Sequence, residues 1–152
     1  MGPAAGTEPI EREIHLAAPL HRVWDVLTRA EHLGAWFADA GAVVDLRVGG
    51  LMLLRWHGYG TFRARFDAVE RPHRLTFRWS EAADSEPVPG VQTTVDVQLA
   101  ADGDGTRLTL VESAFETLQM NDHDRAAHRL GNLEGWREEL DELTAYLASL
   151  PE

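Results

Sequence analysis

Residues 121–150 read NDHDRAAHRLGNLEGWREELDELTAYLASL, and their spacing decides how the rest of the chain is read. Leu133, Trp136, Leu140, Leu143, Leu147 and Leu150 recur at alternating steps of three and four, which places large apolar side chains on one face of a helix. Arg137, Glu138, Glu139, Asp141 and Glu142 make the other face charged. Burying such a seam contributes roughly 1.5–3 kcal/mol per side chain, gross, so the helix requires an apolar surface from elsewhere in the chain.

That surface is written upstream as alternation with a period of two. Ile10, Ile14 and Leu16 alternate with Glu11, Glu13 and His15 as a first strand. Pro19 suits the first position of a short helix carrying Val23, Trp24 and Leu27. Thr28-Arg29-Ala30-Glu31 matches a capping box for a second short helix with Leu33, Trp36 and Phe37. From Ala42 the alternation continues through Val44, Leu46 and Val48 to a turn or bulge at Gly49-Gly50. A strand from Leu51 to Trp56 follows, then a turn at His57-Gly58-Tyr59-Gly60. The next strand aligns Phe62, Ala64, Phe66 and Ala68, and after Arg71-Pro72 another aligns Leu75, Phe77 and Trp79. Glu81 to Pro89, with Pro87 and few apolar residues, predicts an exposed loop. Val91, Thr93, Val95, Val97 and Leu99 share a face, Asp102-Gly103-Asp104-Gly105 signals a hairpin, and Leu108, Leu110 and Glu112 complete the last strand. Consecutive strands with short turns imply an antiparallel sheet with one apolar face.

The 152 residues fit one domain able to bury about 70% of its unfolded surface. Residues 1–8 read as a flexible tail and 9–150 as a single domain, since the N-terminus has neither a basic flank nor an apolar core, and Gly6 stands where a myristoylation pattern needs Ser or Thr. The chain has no cysteine, which excludes disulfides and thiolate chemistry and suits a reducing cytoplasm. A net charge of -11 argues against nucleic acid or an anionic membrane as partner. No apolar run approaches the ~20 residues of a membrane span. All 14 basic residues are arginine, which excludes a Schiff-base lysine and suggests a G+C-rich bacterial genome.

The run Ile14-His15-Leu16-Ala17-Ala18-Pro19 with Val23-Trp24, Leu27-Thr28, Leu33 and Trp36 resembles the opening of the START-like (SRPBCC) superfamily. Gly49-Gly50, Val69-Glu70 before Pro72, Leu75-Thr76-Phe77-Arg78-Trp79, Gly105-Thr106-Arg107-Leu108-Thr109-Leu110 and Gly135-Trp136 are similar to later landmarks of its branch named after the activator of the heat-shock-protein-90 ATPase. The resemblance covers Ile10 to Leu150 in order. It implies an α+β helix-grip fold: a curved antiparallel sheet of about six or seven strands wrapped around the long C-terminal helix, with two short helices after the first strand. A cavity between sheet and helix is implied as well. Function varies across the superfamily and must be argued from the site.

Strand parity directs Leu54, Trp56, Phe62, Phe66, Phe77, Trp79, Val95, Val97 and Leu110 to the helix side, with Trp36 and Phe37 closing one end. Extending the helical seam toward its N-terminus gives Asn132, Arg129, His128 and Arg125, so the stripe turns polar before Trp136. Either this half lines a pocket with polar groups, or the first turns overhang the sheet in solvent, or the helix breaks at Gly131 and Gly135. Glu112 has inward parity, where a carboxylate must be paired or protonated, with Arg129 or His128 as partner; a bulge near Ser113 would instead turn it outward. No metal site is expected, because the histidines are scattered and no HExxH pattern occurs. Neither a phosphate loop nor a G-x-S-x-G elbow is present, and no cofactor is expected.

The leading expectation is a domain holding a small hydrophobic or aromatic ligand between sheet and helix. A protein-interaction module regulating a chaperone or other partner is the alternative. The third is a cyclase or hydrolase-like enzyme using Glu112, His128 or Arg129 as acid, base or anion stabiliser.

Overall fold

The computed structural model describes residues 6–151. Residues 1–5 of the expected tail lie outside the described residues. Within its remainder Thr7 is 1% exposed, and Glu8 meets the Arg129 guanidinium at 3.6 Å.

The expected alternation at Ile10–Leu16 forms β1, followed by two short helices, α1 (Leu20–Thr28) and α2 (Ala30–Trp36). Pro19 is the residue before α1, one position earlier than its fixed φ had suggested. The capping box does not form. Arg29 alone separates the helices, so Thr28 belongs to α1, and its hydroxyl donates to the Trp24 carbonyl at 2.7 Å.

Six further strands follow: β2 (Ala42–Val44), β3 (Leu51–Trp56), β4 (Gly60–Glu70), β5 (Arg74–Ser80), β6 (Gln92–Asp102) and β7 (Gly105–Ser113). They form a sheet in the order β1-β7-β6-β5-β4-β3-β2, with every neighbouring pair antiparallel. β2 is shorter than its alternation predicts: Leu46 and Val48 are 36% and 65% exposed. The chain turns back there through Gly49, at φ 81°, and Gly50, where a Cβ would collide with the Asp45 carbonyl.

A further correction lies in β4. A register shift between Phe66 and Ala68 gives Val69, rather than Ala68, the core-side pairing with Leu75. One extra residue in one strand inverts the parity beyond it.

After a 3-10 turn at Phe115–Thr117, α3 runs unbroken from Asp122 to Ser149, through Gly131 and Gly135. Asn121 caps it by accepting from the Asp124 amide at 2.8 Å, and Asp122 and Asp124 suit the positive end of the helix dipole. Trp136, Leu140, Leu143 and Leu147 are buried, while Leu133 and Leu150 pack at the margin of the core. The apolar seam therefore meets the inner face of the sheet, including Met52, Leu54, Phe66, Phe77, Val95, Val97, Leu108 and Leu110. The result is the α+β helix-grip architecture: a curved seven-stranded sheet, a long C-terminal helix and two short helices after the first strand. No helix among the described residues is long and apolar enough to cross a membrane.

Candidate functional site

At one end of the grip, the ends of β3, β4 and β5 and the middle of α3 leave an open-mouthed pocket of about 410 Å³. Phe37, Trp56, Phe62, Trp79, Asn132 and Trp136, all expected at the site, line it. So do Tyr59, Ser80, Glu81, Gly131, Gly135, Glu138 and Glu139, none of which was expected to line a pocket. A Cβ on Gly131 or Gly135 would meet nothing within 4 Å, so these two residues leave open space on the pocket side of α3.

Phe37, Trp79 and Trp136 form a nearly parallel group. The Trp79 and Trp136 rings lie 5.5 Å apart at 17°, and Phe37 lies 5.9 Å from Trp136 at 12°. Trp56 stands edge-on to Phe37 at 5.1 Å and donates its indole N–H to the Phe37 carbonyl at 2.8 Å. Phe62 packs edge-on against Trp56 at 5.6 Å.

Behind this aromatic group lies a polar cluster centred on Glu112, which is fully buried and faces inward. Its Oε2 accepts from Thr93 Oγ1 at 2.6 Å and Trp79 Nε1 at 3.0 Å, and its Oε1 accepts from Trp136 Nε1 at 2.9 Å. The Asn132 amide donates to Glu81 Oε1 at 2.7 Å and lies 3.1 Å from Glu112 Oε2. Only the NH₂ end of Asn132 can face two carboxylates, which fixes the orientation of its amide. Thr93 Oγ1 also lies 3.2 Å from Glu81 Oε1, so a single hydroxyl stands between the two acids.

Burial, followed by the charge of Glu81, pushes Glu112 up to about 7 against the lowering effect of its hydrogen-bond donors. The cluster can therefore hold a proton near neutrality. Thr93 can accept from a protonated Glu112 while donating to Glu81, which links the sealed acid to one on the pocket wall. His128 Nε2 sits 3.0 Å from Glu81 Oε1 as an ion pair without a well-aligned hydrogen bond, and this contact raises its pKa.

The remaining expected site residues divide between the interior and the flank. Phe77, Val97 and Leu110, with Trp36, border a wholly apolar void of about 40 Å³ deeper in the core. Leu54, Phe66 and Val95 are core residues that border neither space. Arg129 turns away: its Nε donates to the Glu8 carbonyl at 2.6 Å, so the proposed pairing with Glu112 is replaced by the two indoles, Thr93 and Asn132. His128 reaches Glu81 instead of pairing directly with Glu112. Among the described residues, no group of three or more His, Asp or Glu side chains is arranged to hold a metal ion.

Glu81 is the main residue the sequence reading missed. It continues the inward parity of Leu75, Phe77 and Trp79 by one more step, a signal obscured by the loop-like composition that follows.

The family described as Activator of Hsp90 ATPase homolog 1-like protein matches residues 17–148. The chain belongs to this family. No curated protein sequence matches the chain. Solved structures similar to it include DynU16, a protein of the dynemicin biosynthetic locus, with a TM-score of 0.72 and 21% identity over 93% of this chain. The chain spans about half of DynU16, covering 47% of its length. CalU16 from Micromonospora echinospora gives a TM-score of 0.69 at 25% identity, covering 93% of this chain and 76% of that one. An HSP90 activator from Plasmodium falciparum gives 0.74 at 21% identity, covering 92% and 96%. Together with the family match, these likenesses place the chain in the START-like superfamily.

Proposed function

We propose that this domain binds a small hydrophobic or aromatic molecule in the pocket between the sheet and α3. The carrying observation is the pocket itself: about 410 Å³, bordered by Phe37, Trp56, Phe62, Trp79 and Trp136, with Asn132 and Glu81 as convergent polar groups. Ligand sites typically have volumes of ~300–1,000 Å³ and combine apolar walls with a few placed polar atoms. A role in regulating a partner, of the kind named for the Plasmodium falciparum HSP90 activator, would not require a cavity of this size.

The proton that Glu112 can hold near neutrality, with Thr93 between it and Glu81, supports a second reading, acid–base chemistry on the bound molecule. In that reading Glu81 touches the substrate and Glu112 acts through Thr93, because Glu112 is fully buried. Arg129 has no role in it, since its guanidinium is held at Glu8 and Pro9.

Native mass spectrometry of the protein as purified tests the binding reading. A mass increment that disappears on denaturation, with quenching of pocket tryptophan fluorescence when the extracted compound is returned, is the expected result. Bare protein that also shows no saturable quenching across a panel of aromatic compounds would overturn it.

A further inference from the structure

We propose that the occupant of this pocket is an organic cation, an amine or quaternary ammonium group carried on an apolar body. The inference rests on the pocket reading above and specifies the ligand's charge.

The charged side chains lining the pocket are Glu81, Glu138 and Glu139, and no arginine lines it. Arg137, on the same stretch of α3, turns to Glu134 at 3.4 Å. His128 stands behind Glu81, and one imidazolium does not balance the carboxylates on the wall. An anionic ligand would meet repulsion from every charged group on the wall, while a cation would be attracted to each. The net charge of -11 extends that attraction into solution.

Aromatic rings provide the second determinant. The π-faces of Trp, Tyr and Phe are electronegative and attract a cation within about 6 Å of the ring centre. Trp56, Phe62 and Trp79 line the cavity and Tyr59, 75% exposed, stands at its lip. Aromatic walls alone would accept a neutral hydrocarbon equally well; aromatic walls combined with carboxylates favour a positive charge.

Glu139 adds an independent observation. Its Oε2 is shielded from solvent and meets no hydrogen-bond donor among the described residues. Burial and the neighbouring charges of Glu142, Glu138 and Asp39 destabilise its ionised form. Glu139 is half-buried, with one oxygen shielded and acids around it; it lacks a positive partner, and an ammonium group in the pocket would supply one. A neutral or anionic occupant would not.

The test uses three probes of one shape: benzyltrimethylammonium, its uncharged carbon isostere neopentylbenzene, and the benzylsulfonate anion. Binding to the full chain is followed at pH 8 by tryptophan fluorescence and calorimetry. The cation is expected to bind at least tenfold more tightly than the isostere, with the anion weakest. The double variant Glu138→Gln/Glu139→Gln should reduce the cation's advantage to threefold or less and leave the isostere unchanged. Glu134→Gln, a removed charge on the same helix outside the pocket, should leave the advantage intact. Equal binding of cation and isostere, or an advantage reduced equally by Glu134→Gln, overturns the cation inference while the pocket reading stands. Absence of saturable binding by all three probes overturns both.

Discussion

Trp79 on β5 and Trp136 on α3 stack at 5.5 Å and donate their indole N–H groups to the same carboxylate, Glu112, at 3.0 and 2.9 Å. Sheet and helix are thus joined at this end of the grip by one buried acid as well as by apolar packing. The same pair of rings borders the pocket, so the fastening of the fold and the shape of the site share residues.

Trp136→Phe retains most of the ring and removes one donor to Glu112. A hydrogen bond to a charged group is worth about 1.5–3 kcal/mol, and that is the expected loss of stability in urea denaturation. A change below about 0.5 kcal/mol would show that the carboxylate does not depend on the indole.

Stability should fall as pH rises from 5 to 8. Glu112 and Glu139 are both pushed up from 4.5 to about 7, each first by burial; Glu81 adds to the effect at Glu112, and Glu142, Glu138 and Asp39 add to it at Glu139. The folded state binds the extra protons, so their contribution is complete below about pH 4.5 and lost as pH approaches 7. His128, raised from 6.5 chiefly by its contact with Glu81, acts in the same direction above that pH. At Asp96, burial is outweighed by hydrogen bonds from Gln98, Thr76 and Arg74; its pKa is lowered from 3.8, so its opposing loss occurs only in stronger acid. A fall in melting temperature of about 5 °C or more between pH 5 and 8 is expected, with a shallower slope in Glu112→Gln. A flat or rising profile would refute the assignment.

Asn132→Ala removes the amide that bridges Glu81 and Glu112. With that donor gone, the two carboxylates repel without mediation, at an expected cost of about 1–3 kcal/mol. The Glu112 titration, followed by carbon NMR of its carboxyl, should move further upward. An unmoved titration together with unchanged probe binding would count against both the bridge and the placement of Asn132 at the site.

At Gly135 stability and binding should separate. A Cβ there has no neighbour within 4 Å, so Gly135→Ala should stabilise the helix by about 0.5–1 kcal/mol. Gly135→Leu should remain folded but project into the pocket and abolish probe binding, as fluorescence titration would show. Undiminished binding in the leucine variant would indicate that ligands sit elsewhere.

The architecture was legible because its signals are periodic. Trp136 to Leu147 sets a helical stripe, and Phe77–Trp79 or Val95–Val97 sets a strand face, irrespective of distant neighbours. Glu112 was legible in its parity but not in its partners. Trp79 and Thr93 come together with it only through the register of β5, β6 and β7, and that register depends on the turns that join them. The swap of Ala68 for Val69 shows the same limit: one bulged residue carries no compositional mark. Arg129 and His128 share the polar end of the helical wheel, yet they meet Glu8 and Glu81, because angular position on a helix does not specify what lies opposite.

Phe37 and Trp136 border both the open pocket and the deeper apolar 40 Å³ space, so their stacked rings stand between the two. One of these rings is tethered by the Trp136 hydrogen bond to Glu112. For a molecule bound as proposed, the depth of entry would then be set by a bond outside its contacts. Variants that loosen the tether would lengthen the chamber without altering any residue at its mouth, giving selection a means of changing guest size independently of guest charge.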